Sequence, residues 1–260
     1  MTSNKSESLK GKNAIITGGS RGIGRGIANE LASRGANILI TYQSAKSQAE
    51  EVVSELELEH SVTAIAVAAD GHDLEAPRRI VQAAVEKWGQ IDIIVNNAGA
   101  REDYDFEDMT HEAFKRQITA NLEFPVFLIQ EATQFFGKAP RIVNLSSSYS
   151  RDGHAGCLAY TACKGGIESV TRSLSRALGQ KYNATVNCIS PGPVNTELWA
   201  RSIKDPEVSK TWEPTIQNTP AAPRVGEVDD IAQAVAFLCE EGSRWVTGSV
   251  ISVSGGLYFN

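Results

Sequence analysis

The stretch Thr17-Gly18-Gly19-Ser20-Arg21-Gly22-Ile23-Gly24 decides the fold of this chain. It follows the apolar run Asn13-Ala14-Ile15-Ile16-Thr17 and leads into a sequence rich in Arg, Ala and Leu that extends to Arg34. This order predicts a strand, a tight loop and a helix. Backbone amides and the dipole at the start of such a helix attract a pyrophosphate, which glycines allow to approach. The alternative is an ordinary glycine-rich turn, because the spacing G-x-x-x-G-x-G departs from the G-x-G-x-x-G of many dinucleotide-binding proteins.

The same alternation of strands and helices continues along the chain. Further strands are predicted over residues 37–42, 62–68, 91–95, 141–145, 185–189 and 250–253, and helices over 45–59, 76–88, 112–136, 160–181 and 228–239. Strands that are apolar on both faces, alternating with helices, specify a parallel sheet covered on both sides. The predicted fold is therefore a Rossmann-type, doubly wound α/β sheet of about seven strands. We expect one dinucleotide-binding and catalytic domain over residues 1–260, with residues 1–10 as a loose polar tail.

Composition excludes several classes of partner. The formal net charge of −6 and the scattered basic residues give nucleic acid no electrostatic footprint. The apolar runs are too short to span a membrane, and the polar N-terminal stretch lacks the apolar core of a secretory signal, so we expect a cytoplasmic protein. Neither a metal site nor a disulfide is expected, because the four cysteines form no C-x-x-C pair and the four histidines are dispersed.

A second motif, Asn96-Asn97-Ala98-Gly99, ends the fourth predicted strand, at the edge where an open parallel sheet binds its ligand. Together with the glycine loop, Ser147, Tyr160-x-x-x-Lys164 and Pro191-Gly192, in this order, it closely resembles the short-chain dehydrogenase/reductase family. The resemblance extends over nearly the whole chain from Leu9 onward. It implies a nicotinamide-dependent enzyme that acts on a small ketone or alcohol and assembles as a homotetramer or dimer.

Tyr160 and Lys164 lie four positions apart, so a helix places them on one face, one turn apart. A free tyrosine titrates near ~10, and an adjacent ammonium is expected to lower the pKa of Tyr160 toward the range of an acid or base. The resemblance further implies that Lys164 holds the nicotinamide ribose, that Ser147 binds the substrate oxygen and that Asn121 relays a water to Lys164. Ser146 and Ser148 remain alternatives to Ser147. Taken singly, each of these residues is also an ordinary helix or loop residue.

The end of the second strand, Thr41-Tyr42-Gln43-Ser44, carries no carboxylate that would repel a 2′-phosphate. Tyr42, Ser44 and Arg21 are suited to bind that phosphate, so NADP(H) is the expected cofactor. Asp70 matches the family position that contacts the adenine, although an Asp before Gly71 is also a common loop cap. The full set of expected cofactor residues is Gly18, Ser20, Arg21, Gly22, Ile23, Gly24, Tyr42, Ser44, Asp70, Asn97, Ala98, Gly99, Tyr160, Lys164, Pro191, Gly192, Val194 and Thr196.

The expected reaction is the NADPH-dependent reduction of a ketone to a secondary alcohol, or its reverse, with Tyr160 as general acid or base. The second strand and helix resemble 3-oxoacyl reductases and fungal polyketide ketoreductases of the hydroxynaphthalene type, which points to secondary-metabolite or acyl biosynthesis. Alternatives are a redox-neutral reaction on a biosynthetic intermediate and a non-catalytic NADP(H) sensor. Residues 194–223 are predicted to be an irregular substrate lid, and Tyr149, Trp199 and Trp212 to contact substrate; the alternative is that the two tryptophans are ordinary packing residues of a short helix pair.

Overall fold

The computed structural model describes residues 7–259 and contains a seven-stranded sheet in the order β3-β2-β1-β4-β5-β6-β7. All neighbouring strands are parallel. The strands are β1 Asn13–Ile16, β2 Asn37–Tyr42, β3 Ala64–Ala68, β4 Ile91–Asn96, β5 Phe136–Leu145, β6 Thr185–Pro191 and β7 Val250–Val253. The strand order reverses between β1 and β4, and such a reversal opens a crevice at the carboxyl edge of a doubly wound sheet.

Helices cover both faces of this sheet. In chain order they are α1 Gly22–Ser33, α2 Lys46–His60, α3 Ala76–Trp88, α4 His111–Ile118, α5 Phe124–Ala132, α6 Tyr149–Asp152, α7 Leu158–Tyr182, α8 Glu197–Ser202, α9 Pro206–Gln217 and α10 Val228–Cys239. Within residues 7–259, no helix is both long and apolar enough to cross a membrane.

Two apolar cores lie on opposite faces of the sheet, because successive strand side chains point to opposite sides. Ile16 belongs to the core that α1, α2 and α10 cover, whereas its neighbour Ile15 belongs to the core that α3, α5 and α7 cover. Both side chains are fully buried. The predicted doubly wound α/β fold is thus confirmed.

The helix predicted over residues 112–136 is interrupted. A five-residue π-helical turn, Thr119–Glu123, separates α4 from α5, and β5 already begins at Phe136, five positions before the predicted start. Pro125 supplies the physical reason for the interruption, since it has no N–H to donate to the carbonyl four residues earlier, at Asn121. Such π-turns recur at functional sites.

The chain ends and the segment after β6 also differ from expectation. Residues 1–6 of the predicted loose tail lie outside the described residues, but Leu9 is only 2% exposed and its N–H donates to the carbonyl of Arg34. Residues 194–223 are not irregular, because they contain α8 and α9. At the other end, Ser252 and Ser254 hydrogen-bond the backbone of Tyr258 and fold the chain back on itself.

Candidate active site

The glycine loop presents bare backbone at the carboxyl end of β1. Gly18 and Gly22 have φ values of +67° and +53°, a region that favours glycine. A Cβ at Gly24 would lie 2.2 Å from the carbonyl oxygen of Gly18, so any side chain there would displace the loop. The Gly18 N–H donates to Thr41 Oγ1 at 3.0 Å, which ties the loop to the end of β2.

A cleft of about 560 Å³ opens above this loop, at the point where the strand order reverses. Most of the predicted cofactor residues line it, namely Gly18, Ser20, Arg21, Gly22, Ile23, Gly24, Tyr42, Ser44, Asp70, Asn97, Ala98, Gly99 and Thr196. The other five do not, namely Tyr160, Lys164, Pro191, Gly192 and Val194. Val194 packs in the apolar core at 7% exposure.

The residues of the cleft fit a nicotinamide dinucleotide. The bare glycine backbone at the start of α1 provides a cradle for a pyrophosphate. Tyr42, Gln43 and Ser44 line the adenosine end without a carboxylate among them. Asp70 lies at the same end of the cleft, hydrogen-bonded with Gln43, and accepts hydrogen bonds from the N–H and the Nδ1 of His72, which lower the pKa of its carboxyl group. Asp70 is thus a loop cap and a cleft residue at once.

The Asn-Asn-Ala-Gly motif holds the cleft floor together. Thr17 Oγ1 accepts hydrogen bonds from the backbone N–H groups of Asn97 and Ala98, at 3.0 and 2.9 Å. Asn97 Nδ2 in turn donates to the carbonyl of Thr17 at 2.8 Å. These bonds join the ends of β1 and β4. Asn97 therefore both lines the cleft and helps to fix its shape.

Tyr160 and Lys164 lie on α7 as predicted, with Lys164 Nζ 5.4 Å from the centroid of the Tyr160 ring. Lys164 is 4% exposed and its Nζ donates to the carbonyl of Leu145 at 2.7 Å. Burial lowers the pKa of Lys164 to about 8. Burial also raises the pKa of Tyr160 to about 12, although hydrogen bonding with Ser147 opposes this shift. The predicted lowering of the Tyr160 pKa is therefore wrong for the structure, because desolvation outweighs the hydrogen bond with Ser147 and the charge of Arg101.

The three consecutive serines have different surroundings. Ser146 and Ser148 are buried, at 5% and 4% exposure, whereas Ser147 is half-buried and interacts with Tyr160. Ser147 Oγ also lies 3.3 Å from the backbone nitrogen of Tyr149, which donates to it. The geometry favours Ser147 over its two neighbours as the serine that faces a substrate.

Asn121 lies in the π-helical turn and is 1% exposed. Its side chain binds the backbone of Ala100 twice, accepting from the N–H at 3.1 Å and donating to the carbonyl at 2.8 Å. The side chain thus fixes the loop after β4. The main-chain carbonyl of Asn121 lacks its usual helical partner, because Pro125 has no N–H.

Sequence reasoning missed a charged cluster near Tyr160. The guanidinium of Arg101 lies 5.3 Å from the centroid of the Tyr149 ring and forms two 2.6 Å bonds to Asp103. Tyr149 also packs against the ring of His154, with centroids 4.7 Å apart. The charge of Arg101 acts to lower the pKa of Tyr160. The sequence feature that could have identified Arg101 as a site residue is its position, two residues after the Asn-Asn-Ala-Gly motif.

The two tryptophans predicted to contact substrate lie against each other. The rings of Trp199 and Trp212 meet edge to face with centroids 5.3 Å apart. Neither ring lines the cleft, but Leu198 and Arg201 of α8 do. Within residues 7–259, no group of three or more His, Cys, Asp or Glu side chains is placed to hold a metal ion.

The fold and the site together define an oxidoreductase, and comparisons with known proteins agree. A family model described as Enoyl-(Acyl carrier protein) reductase matches residues 18–258. The chain is 52% identical over 255 residues to the short-chain dehydrogenase/reductase FrzI of Cladobotryum sp, with 98% of each chain covered. This chain therefore belongs to the short-chain dehydrogenase/reductase family.

Solved structures give the same result. The angucycline C-6 ketoreductase LanV with bound NADP has a TM-score of 0.88 at 33% identity, with 98% of each chain covered. A short chain dehydrogenase from Burkholderia cenocepacia J2315 in complex with NADP has a TM-score of 0.87 at 33% identity, covering 96% of this chain and 99% of that one. A nicotinamide cofactor is thus supported by the structural relatives as well as by the cleft.

Proposed function

We propose that this chain reduces a ketone to a secondary alcohol with NADPH. The observation that carries the proposal is the pairing of a half-buried Tyr160, hydrogen-bonded with Ser147 and beside Lys164, with a cleft suited to a dinucleotide. Proton donor, polarising hydroxyl and cofactor cleft are the three elements that hydride reduction of a carbonyl requires.

When bound, the cofactor supplies the hydride. Ser147 donates a hydrogen bond to the carbonyl oxygen and Tyr160 gives its proton to the alkoxide that develops there. A pKa of about 12 keeps Tyr160 protonated at neutral pH, so the group is prepared to act as an acid toward an alkoxide. Reduction requires this protonated form of Tyr160. Lys164 would hold the ribose hydroxyls of the bound cofactor, and its Nζ places a positive charge 5.4 Å from the centroid of the Tyr160 ring.

The preference for NADP(H) over NAD(H) belongs to the same proposal. Tyr42 and Ser44 at the end of β2 and Arg21 in the glycine loop offer donors to a 2′-phosphate, and no carboxylate opposes it there. The NADP complexes of two structural relatives support this choice.

Several wider expectations accompany the reaction. We propose one domain, a cytoplasmic location and a homotetramer or dimer, with residues 194–223 as the substrate lid. All four cysteines are buried and free, which suits a reducing compartment. The similarity to a ketoreductase of angucyclines supports a role in secondary-metabolite or polyketide biosynthesis.

The test is a panel of cyclic, aromatic and acyl ketones, offered with NADPH or NADH to the parent protein and to Tyr160→Phe. We expect NADPH consumption with alcohol formation in the parent, and a loss of at least about 100-fold in Tyr160→Phe because the proton donor is gone. The NADPH dissociation constant should change less than about twofold, since the ring remains.

The possible outcomes separate the alternatives. Turnover near the parent rate in Tyr160→Phe would contradict the role of the phenol, and a higher kcat/KM with NADH would contradict the cofactor choice. Product without net NADPH oxidation would identify a redox-neutral enzyme. NADPH binding with neither product nor oxidation across the panel would identify a sensor.

A further inference from the structure

A buried carboxylate lies directly beneath the proposed active site. Glu168 is on α7, one helical turn beyond Lys164, and is 1% exposed. An ionised carboxylate in such a place is unfavourable unless hydrogen bonds and an opposite charge compensate it. The groups that compensate the charge of Glu168 show which segment of the chain this carboxylate holds in place.

Every described hydrogen bond that Glu168 accepts through its side chain comes from one segment, residues 146–151. The hydroxyls of Ser146 and Ser150 lie 2.8 and 2.5 Å from Oε1, and Arg151 donates to Oε2 at 2.6 Å. Each hydroxyl also lies near a main-chain carbonyl, of Lys164 and Ser147 respectively, at the longer distances of 3.1 and 2.7 Å. Each has one proton, and the shorter, charge-assisted contact is with the carboxylate in both cases.

This segment carries Ser147, whereas the helix below it carries Tyr160 and Lys164. Glu168 therefore joins the two halves of the proposed catalytic group through side chains that do not themselves react. Arg151 forms the solvent-facing side of this ion pair. Its side chain is 42% exposed, whereas that of Glu168 is 2% exposed. Among residues 7–259, Arg151 is the cation that forms an ion pair with Glu168.

We propose that Glu168, fastened by Arg151, is a positioning residue that sets the placement of Ser147 relative to Tyr160. This inference rests on the proposed function of Ser147 and Tyr160. Proton transfer and carbonyl polarisation both depend on that spacing, and a misplacement of about 1 Å costs on the order of 100-fold in rate. A carboxylate is required because its two oxygens accept from hydroxyls and a guanidinium at the same time.

The variant that tests this is Glu168→Gln, which keeps the size of the side chain but loses the charge and one acceptor oxygen. The matched control is Glu30→Gln, because Glu30 is likewise 3% exposed and accepts two bonds from Arg34, at 2.8 and 2.7 Å, on the remote helix α1. Both variants should lose thermal stability, since each leaves a buried partner poorly compensated. Only Glu168→Gln should lower kcat, by about 10-fold to 100-fold, with the NADPH dissociation constant unchanged.

A kcat for Glu168→Gln within about twofold of the parent would overturn the proposal, as would an equal loss of kcat in Glu30→Gln. If Glu168→Gln does not fold, Arg151→Met decides in its place, because it removes only the exposed half of the pair. A several-fold loss of kcat at unchanged NADPH affinity is then expected, and an unchanged kcat contradicts the proposal.

A crystal structure of Glu168→Gln tests the positioning role of Glu168 without a measurement of turnover. We expect Ser147 Oγ to shift relative to the Tyr160 hydroxyl, and superimposable positions would reject the positioning role. Absence of ketone reduction in the parent would instead reject the proposed function, so the two failures are distinguishable.

Discussion

The ammonium group of Lys164 is buried, and burial disfavours its charged form. The same low-dielectric surroundings that raise the pKa of Tyr160 to about 12 lower that of Lys164 to about 8. Desolvation is the largest cause of both shifts. The two residues that the proposed reaction needs therefore lower the stability of the folded protein.

This cost has a defined dependence on pH. The ordinary pKa of lysine, 10.5, exceeds the folded value of about 8, so the unfolded chain binds more protons between these values and the free energy of unfolding rises with pH there. We expect cofactor-free Lys164→Met to be more stable than the parent at pH 7, by about 3 kcal/mol at most, before subtracting the lost bond to Leu145. Its advantage should shrink between pH 8 and 10.5.

Urea unfolding of both proteins at pH 7 and pH 10 measures the difference. Groups with raised pKa values that lie away from Lys164, such as Tyr149 and Cys239, destabilise both proteins at alkaline pH and cancel in the comparison. A parent more stable than Lys164→Met at pH 7 would show that the hydrogen bond to Leu145 outweighs the burial of charge. Turnover of the variant should fall in either case.

Spacing along one helix made Tyr160 and Lys164 predictable, because helical periodicity is a local property of the sequence. Arg101, Ser147 and Glu168 are different, since their contacts join segments that lie far apart in the chain. Among the three adjacent serines, the family resemblance selected Ser147 and left Ser146 and Ser148 as alternatives. Burial and the bonds to Glu168 separate them, and these follow from the packing of α7 against the end of β5.

At the level of elements, the helix pair α8 and α9 is loosely attached to the rest of the protein. No side chain in either helix is buried. The contact between Trp199 and Trp212 joins the two helices, and Leu198 and Arg201 turn toward the cleft. A pair of small helices held mainly by one aromatic contact is suited to move over a substrate.

We therefore expect Trp212→Ala to raise the KM for a bulky ketone about 10-fold while the NADPH dissociation constant stays unchanged, because the loosened pair no longer covers the substrate. The melting temperature should fall only slightly, since the ring is partly exposed. A core tryptophan would instead lose roughly 3–5 kcal/mol on truncation. Kinetics and thermal melts of the same preparation decide, and a large loss of stability without a substrate effect would reject the lid.

The strands and helices that alternate regularly along the chain were predictable from the sequence. The elements that depart from the prediction have local causes. The strands and most helices follow from apolar runs of strand or helix period. The segment 206–217 carried a helix signal of its own, Asp205 followed by Pro206, and Asp205 does cap α9 by accepting from Glu207 N–H. The π-helical turn at Asn121 had no comparable pattern, since it follows from one proline within an otherwise helical run.

For the whole molecule, the surface near β7 bears on assembly. Trp245, just before β7, is 96% exposed, and Phe237 of α10 is 47% exposed. Contiguous exposed apolar surface marks sites of protein–protein interaction. Sedimentation velocity of the full chain at micromolar concentration should give a dimer or tetramer of the 28.0 kDa subunit. A stable species at the mass of one subunit would contradict this expectation.

The folded-back C-terminus has a practical consequence for the experiments above. Tyr258 is anchored by Ser252 and Ser254, and its pKa is raised by burial, with added contributions from Asp152 and Tyr149. Tyr258 therefore lies close to Tyr149, one of the residues proposed to contact substrate. An affinity tag fused shortly after Tyr258 would crowd that region, so purification handles belong at the amino end, or must be cleaved before any Michaelis constant is compared.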